Sequence, residues 1–111
     1  MDKLNTYRSY VQDIITEYSQ YKPAYGDVER EAIFDITHDH YQLMTVGWNK
    51  HQRIHATLLH VDIRNSKIWI QYDGTEEGIA NQLVDLGVPR EDIVLAFHPP
   101  YKRPFTDFAA G

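Results

Sequence analysis

The 111-residue chain contains no cysteine. That excludes disulfide staples and thiolate metal sites, and it suits a reducing compartment. No apolar run approaches the roughly 20 residues that span a bilayer. The segment Met1 to Asn5 lacks a basic region followed by an apolar stretch, so nothing there reads as a secretory signal. A cytoplasmic location is the expectation. Basic charge is also scarce: 11 Lys and Arg stand against 16 Asp and Glu, a formal net charge of −5. Proteins that hold DNA unaided gain most of their affinity by neutralising phosphates with Lys and Arg. The acidic balance therefore argues against unaided DNA binding and suits a basic partner. What remains is ordinary globular material, 42% hydrophobic and 24% charged, enough for one packed domain over residues 1–111.

Leu4, Tyr7, Val11, Ile14, Ile15 and Tyr18 recur at three- and four-residue steps, which predicts an amphipathic helix over 2–21. Asp2 is placed to cap it, and Lys22-Pro23 to stop it, with Tyr10 and Tyr21 at the edge of the stripe. A loop follows through Asp27. The period then changes to two, predicting strands at 28–37, 41–48, 54–64 and 67–73. Asn65-Ser66 reads as a two-residue hairpin turn. It would set Ile63 opposite Ile68, Val61 opposite Ile70 and Leu59 opposite Tyr72, with Leu58, His60, Asp62, Trp69 and Gln71 on the other face. If Trp48 lies opposite Ile54, Tyr41 and Leu43 extend the core beside Val61 and Leu59. Met44, Val46, Trp48, Ile54, Ala56 and Leu58 then crowd the second face. So much apolar surface calls for a cover: the first helix, the tail or a second copy of the chain. Thr75 is expected to cap a helix over 76–86 that buries Ile79, Ala80, Leu83 and Leu86 and ends at Gly87. Ile93 to Phe97 reads as a short buried strand. The tail from His98 holds three prolines and should be extended. The fold class is α+β: an N-terminal helix, a four-stranded antiparallel meander, a second helix, a short strand and an extended proline-rich tail.

The residues offer few openings for chemistry. His38 and His40 flank a turn, and His51 and His55 lie in or near another, with no third ligand placed by spacing, so no metal site is assigned. His60, Asp62 and Gln71 share the second face as a polar cluster. A carboxylate beside an imidazole can orient a general base, but Thr57 and Ser66 fall on the other face or in the turn. A hydrogen-bonded network accounts for the cluster better than a catalytic pair. The run from Asp73 to Gly78 sits where phosphate loops occur, yet it has too few glycines, lacks lysine and carries three acids, so helix capping explains it better. No catalytic or cofactor-binding residue emerges. Trp48 and Trp69 on the sheet, with His98, Tyr101, Lys102, Arg103 and Phe105 in the tail, are the candidate partner-binding residues, since aromatic and Arg anchors between prolines suit docking. Lys50, Arg53, Lys102 and Arg103 are the phosphate contacts that a direct DNA-binding role would use.

Two long runs carry a resemblance: Leu58-Leu59-His60-Val61-Asp62-Ile63-Arg64 through Gln71-Tyr72-Asp73-Gly74-Thr75-Glu76, and Gly87-Val88-Pro89-Arg90-Glu91-Asp92 through His98-Pro99-Pro100-Tyr101-Lys102-Arg103. With Val46-Gly47-Trp48 and the first helix, they resemble the XisI-like family over essentially the whole chain. That resemblance implies a cyanobacterial accessory factor for excision of the fdxN element, a DNA segment removed in heterocyst differentiation. A separate recombinase would perform the cutting and joining. It implies an XisH-like partner of nuclease-like fold and transfers no catalytic residue onto this chain. The expected role is therefore a non-enzymatic controlling factor acting by protein contact. The alternatives are a direct DNA-binding regulator or an antitoxin-like restraint on the nuclease-like partner. A homo-oligomer is expected from the apolar second face.

Overall fold

The carboxylate of Asp2 accepts the Leu4 backbone N–H at 3.0 Å, so the expected cap starts helix α1 (Lys3–Ser19). The computed structural model describes residues 2–21, 23 and 26–111. Lys22 of the expected stop and the loop residues Ala24 and Tyr25 lie outside the described residues. Tyr7, Val11, Ile14 and Ile15 are buried on one stripe, while Leu4, Tyr10 and Tyr18 pack at its margin. Tyr21 is exposed.

Five strands follow in one sheet: β1 (Asp27–Asp35), β2 (His40–Asn49), β3 (Gln52–Arg64), β4 (Lys67–Asp73) and β5 (Ile93–Leu95). Their order in space is their order in sequence. β1 to β4 form the expected antiparallel meander, and β5 joins parallel to β4 after a helical crossover. Asn65 and Ser66 both take positive φ, as a two-residue hairpin loop demands, and they set Ile63 opposite Ile68 and Val61 opposite Ile70.

Two bulges correct the rest of the expected register. Gln71 is an extra residue between the pairs Val61–Ile70 and His60–Tyr72, so Leu59 faces Asp73 instead of Tyr72, and Tyr72 turns outward. Leu58 is likewise extra between Leu43–Leu59 and Met44–Thr57. Tyr41–Val61 and Leu43–Leu59 therefore hold, whereas Trp48 pairs with Arg53 and Ile54 with Gly47. The parity change moves Ile54 and Ala56 off the second face, takes Leu58 into the main core, and brings Thr57 beside Met44. Gly47 is needed where β1 and β2 close up, because a Cβ there would stand 2.6 Å from the Val28 Cα and its φ is +148°.

The second helix, α2 (Ile79–Asp85), starts three residues later than expected. Gly78 takes φ 78°, and the cap comes from upstream: Asp73 accepts the Ile79 N–H at 2.8 Å, while Thr75 receives only the Gly78 N–H. Ile79 and Leu83 are buried, but Leu86 is exposed, because it lies beyond the last turn, where Gly87 at φ 104° reverses the chain. α1 and α2 share one core cluster with Tyr41, Leu43, Leu59, Val61, Ile63, Ile68, Ile70 and Ile93. Both helices thus cover the first face of the sheet. The last strand is shorter than expected, ending at Leu95, with Phe97 exposed in the turn that follows. The proline-rich tail avoids α-helix, as it must, but folds back through one 3₁₀ turn at Arg103–Phe105. Such a turn accepts Pro104 because its first N–H groups need no partner.

Asp39, at the tip of the β1–β2 turn, ties these parts together. Arg8 of α1 grips its carboxylate at both oxygens, 2.8 and 3.1 Å, and the Tyr41 hydroxyl donates at 2.8 Å. Its own carbonyl accepts the Ile63 N–H at 3.0 Å. The bonded guanidinium holds the Asp39 carboxyl below the usual carboxylate range, and burial with that carboxylate pushes the Tyr41 hydroxyl up to about 12. A depressed carboxyl contributes stability that is present above its unfolded value, near 3.8, and is lost as pH falls through the lower folded value. Asp39→Asn tolerates the same positive φ and removes the charge together with one of the two acceptor oxygens. It should lower unfolding free energy in urea at neutral pH by about 1–2 kcal/mol. That deficit should shrink toward zero below the folded value.

The second face and its histidine cluster

The face opposite the helices divides into three zones. Over β4 and β5 the tail forms a strap. Ala96 donates to the Ile70 carbonyl at 2.9 Å, and Ala109 to the Ile93 carbonyl at 2.9 Å, which brings Ala109 alongside Val94 in a short parallel bridge. Trp69 lies under this strap, 7% exposed, with its indole N–H donated to the Arg64 carbonyl at 3.1 Å. The Arg64 and Arg103 guanidinium carbons stand 4.2 and 5.6 Å from its ring centroid, within cation–π range. Arg103 also donates to the His98 and Ala96 carbonyls, fixing the strap's turn. Of the candidate partner-binding residues, Trp69 and Arg103 are thus engaged within the chain, and the His98 ring is half-buried against Phe97. Tyr101, Lys102 and Phe105 project from the strap, with Phe105 90% exposed.

The far zone, on β1 and β2, is an uncovered apolar strip. Ile33 and Trp48 are each about half exposed, and Met44 and Val46 are intermediate. The paired positions on β1 are acidic: Asp27 beside Trp48, Glu29 beside Val46, Glu31 beside Met44. On the β3 side Arg53 stacks on Trp48 at 5.4 Å, so this basic candidate is engaged too, while Lys50 is exposed in the adjoining turn.

Between these zones sits the polar cluster expected at His60, Asp62 and Gln71, joined by a member the spacing did not suggest. The β2–β3 register sets His40 directly opposite Asp62. His40 Nδ1–H and His60 Nε2–H both donate to Asp62 Oδ1, at 2.7 and 3.0 Å, and Gln71 donates to Oδ2 at 3.1 Å. Asp62 is 7% exposed, while His40 faces solvent over a depression that Ile33, Asp35 and Gln42 help to line. The bonded carboxylate raises the His40 imidazolium above its ordinary range. Next to it His38 bonds Asp35 at 2.9 Å, which lowers that carboxyl. His38 stays apart from Asp62, its ring stacked 6.4 Å from that of His40. Thr57, which the bulge brings to this face, spends its hydroxyl on the Met44 sulfur at 3.3 Å. The sequence already held the signal for His40: once Tyr41 is set against Val61, the preceding residue must meet Asp62. Among the described residues, no helix is long and apolar enough to cross a membrane.

Helices on one face of a mixed five-stranded sheet and a C-terminal strap over part of the other define an α+β protein. The family model described as XisI protein matches residues 1–110, and the chain belongs to the XisI family. Two solved structures carry the same fold along their full length. A XisI-like protein from Anabaena variabilis is 42% identical, with a TM-score of 0.91, covering 97% of this chain and 99% of that one. The fdxN element excision controlling factor XisI from Anabaena variabilis is 36% identical, with a TM-score of 0.86, covering 99% and 100%. No curated protein matches the chain.

The two classes of aromatic should separate by stability. Trp69→Ala empties the site under the strap and should cost about 3–5 kcal/mol in urea unfolding. Tyr101→Ala and Phe105→Ala should each stay within about 0.5 kcal/mol of the parent.

Proposed function

We propose that this chain is a controlling factor for excision of a DNA element, acting by protein contact and not by catalysis. The observation that carries the reading is its full-length similarity to the Anabaena excision controlling factor. The side chains are consistent with a non-catalytic role. Both Asp62 oxygens are engaged by neighbours, and the Thr57 hydroxyl is committed to Met44. The acidic net charge and the engaged Arg53 and Arg103 favour a protein partner over bare DNA. The partner in this reading is an XisH-like protein, and the docking element is the exposed tip of the strap, Tyr101, Lys102 and Phe105. Proline-flanked aromatics there lose little freedom on binding.

Co-expression with an XisH-like protein should yield a complex that co-purifies, while the chain alone leaves the fluorescence anisotropy of element-end DNA flat at low salt. A Tyr101→Ala, Phe105→Ala double variant, shown to be folded, should weaken the complex by about 30-fold or more. Absence of a complex with the intact chain, or one indifferent to the double variant, refutes this docking scheme.

We further propose that a second copy of the chain covers the apolar strip on β1 and β2. The strip runs to the sheet edge, where a two-fold partner can reach it. Sedimentation should then show a dimer that Trp48→Glu converts to monomer without loss of helix and sheet signal.

A further inference from the structure

We propose that His40, His60 and Asp62 form a binding site for one divalent transition-metal ion of zinc-like softness. One ligand atom from each lies within 4.8 Å of the other two. Tetrahedral zinc with nitrogen and oxygen ligands holds its donors about 3.3 Å apart. The two imidazole nitrogens stand 2.7 and 3.0 Å from Asp62 Oδ1, so lengthening those two contacts by roughly 0.3–0.6 Å brings them to that spacing.

The three residues sit on paired strands, His40 opposite Asp62 and His60 two positions before it, so the backbone has already placed them. To become ligands, His40 Nδ1 and His60 Nε2 each give up the proton now directed at the carboxylate, to the other ring nitrogen or to solvent, and the freed lone pairs replace those N–H groups. Gln71 on Oδ2 leaves Oδ1 as the coordinating oxygen and orients it, the supporting contact that metal-bound carboxylates characteristically have. Two imidazoles and one carboxylate select borderline ions such as zinc over magnesium or calcium, which demand more oxygen donors. Buried Asp62 anchors the site from below, and solvent-facing His40 leaves an entry path, with water completing the coordination shell. This site is separate from the strap tip and stands independently of the excision reading.

The test uses the untagged full chain, stripped with a chelator and titrated with zinc chloride in a calorimeter, then with cobalt chloride while visible absorption is followed. Binding of one zinc per chain and a cobalt d–d band are expected. His40→Ala and His60→Ala should each weaken zinc binding by about 10-fold or more, and His51→Ala, in the β2–β3 turn, should change nothing. His40 is largely exposed, so its variant keeps the fold and remains informative if Asp62→Asn does not. Failure of the parent chain to bind zinc overturns the proposal. So does binding of undiminished affinity in a folded His40→Ala, His60→Ala double variant.

Discussion

A single carboxylate at a hairpin tip fixes how the first helix meets the sheet. Asp39 takes a positive φ that a residue with a short polar side chain accepts. Its two oxygens receive Arg8 in a bidentate pair, which sets the rotation of α1 as well as its distance. That rotation presents Tyr7, Val11, Ile14 and Ile15 to the sheet together. A second tie holds the other side of α1: Lys3 and Tyr7 converge on Asp92, just before β5. A third runs from Gln82 of α2 to the Tyr18 hydroxyl at 2.7 Å. A 17-residue helix is marginal alone in water. Here polar contacts along its length select one docking pose for an apolar stripe that would otherwise slide.

The same turn governs the opposite face. The Asp39 carbonyl accepts the Ile63 N–H next to the His40–Asp62 pair, which continues the β2–β3 register to the end of β2. The helix clamp on one side of the sheet and the polar cluster on the other thus meet at one turn.

Much of this was legible in the sequence, and the losses have identifiable causes. The helix stripe and its Asp2 cap were readable because each depends on residues within one or two turns. The Asn65-Ser66 turn fixed the nearest pairs of β3 and β4 for the same reason. Register failed beyond Val61–Ile70 and beyond Leu43–Leu59, in each case at one inserted residue. Neither Gln71 nor Leu58 carries a local mark of a bulge; both alternate acceptably with their neighbours. Each bulge has a tertiary cause instead. Gln71 reaches Asp62, and Leu58 packs into the core while its carbonyl accepts the Gly74 N–H. Arg103 shows the same limit in the tail: its spacing between prolines suggested a free docking residue, yet distant Trp69 and nearby carbonyls engage it. The cluster was half visible, since His60 and Asp62 share a strand and His40 does not.

These bulges also decide how the second face is divided. Without the extra Leu58, the alternation would have put Ile54, Ala56 and Leu58 beside Met44, Val46 and Trp48, a broad apolar sheet surface with strong drive to aggregate. With it, Arg53, His55 and Thr57 take those positions and leave a narrow strip bordered by acids on β1. Without the extra Gln71, Tyr72 would pair with Leu59 and enter the core. The second face is thus partitioned: a strap anchored on Trp69, a polar centre around a buried carboxylate, and a strip at the edge. A face divided in this way can engage more than one partner at once, because each zone uses a different physical interaction.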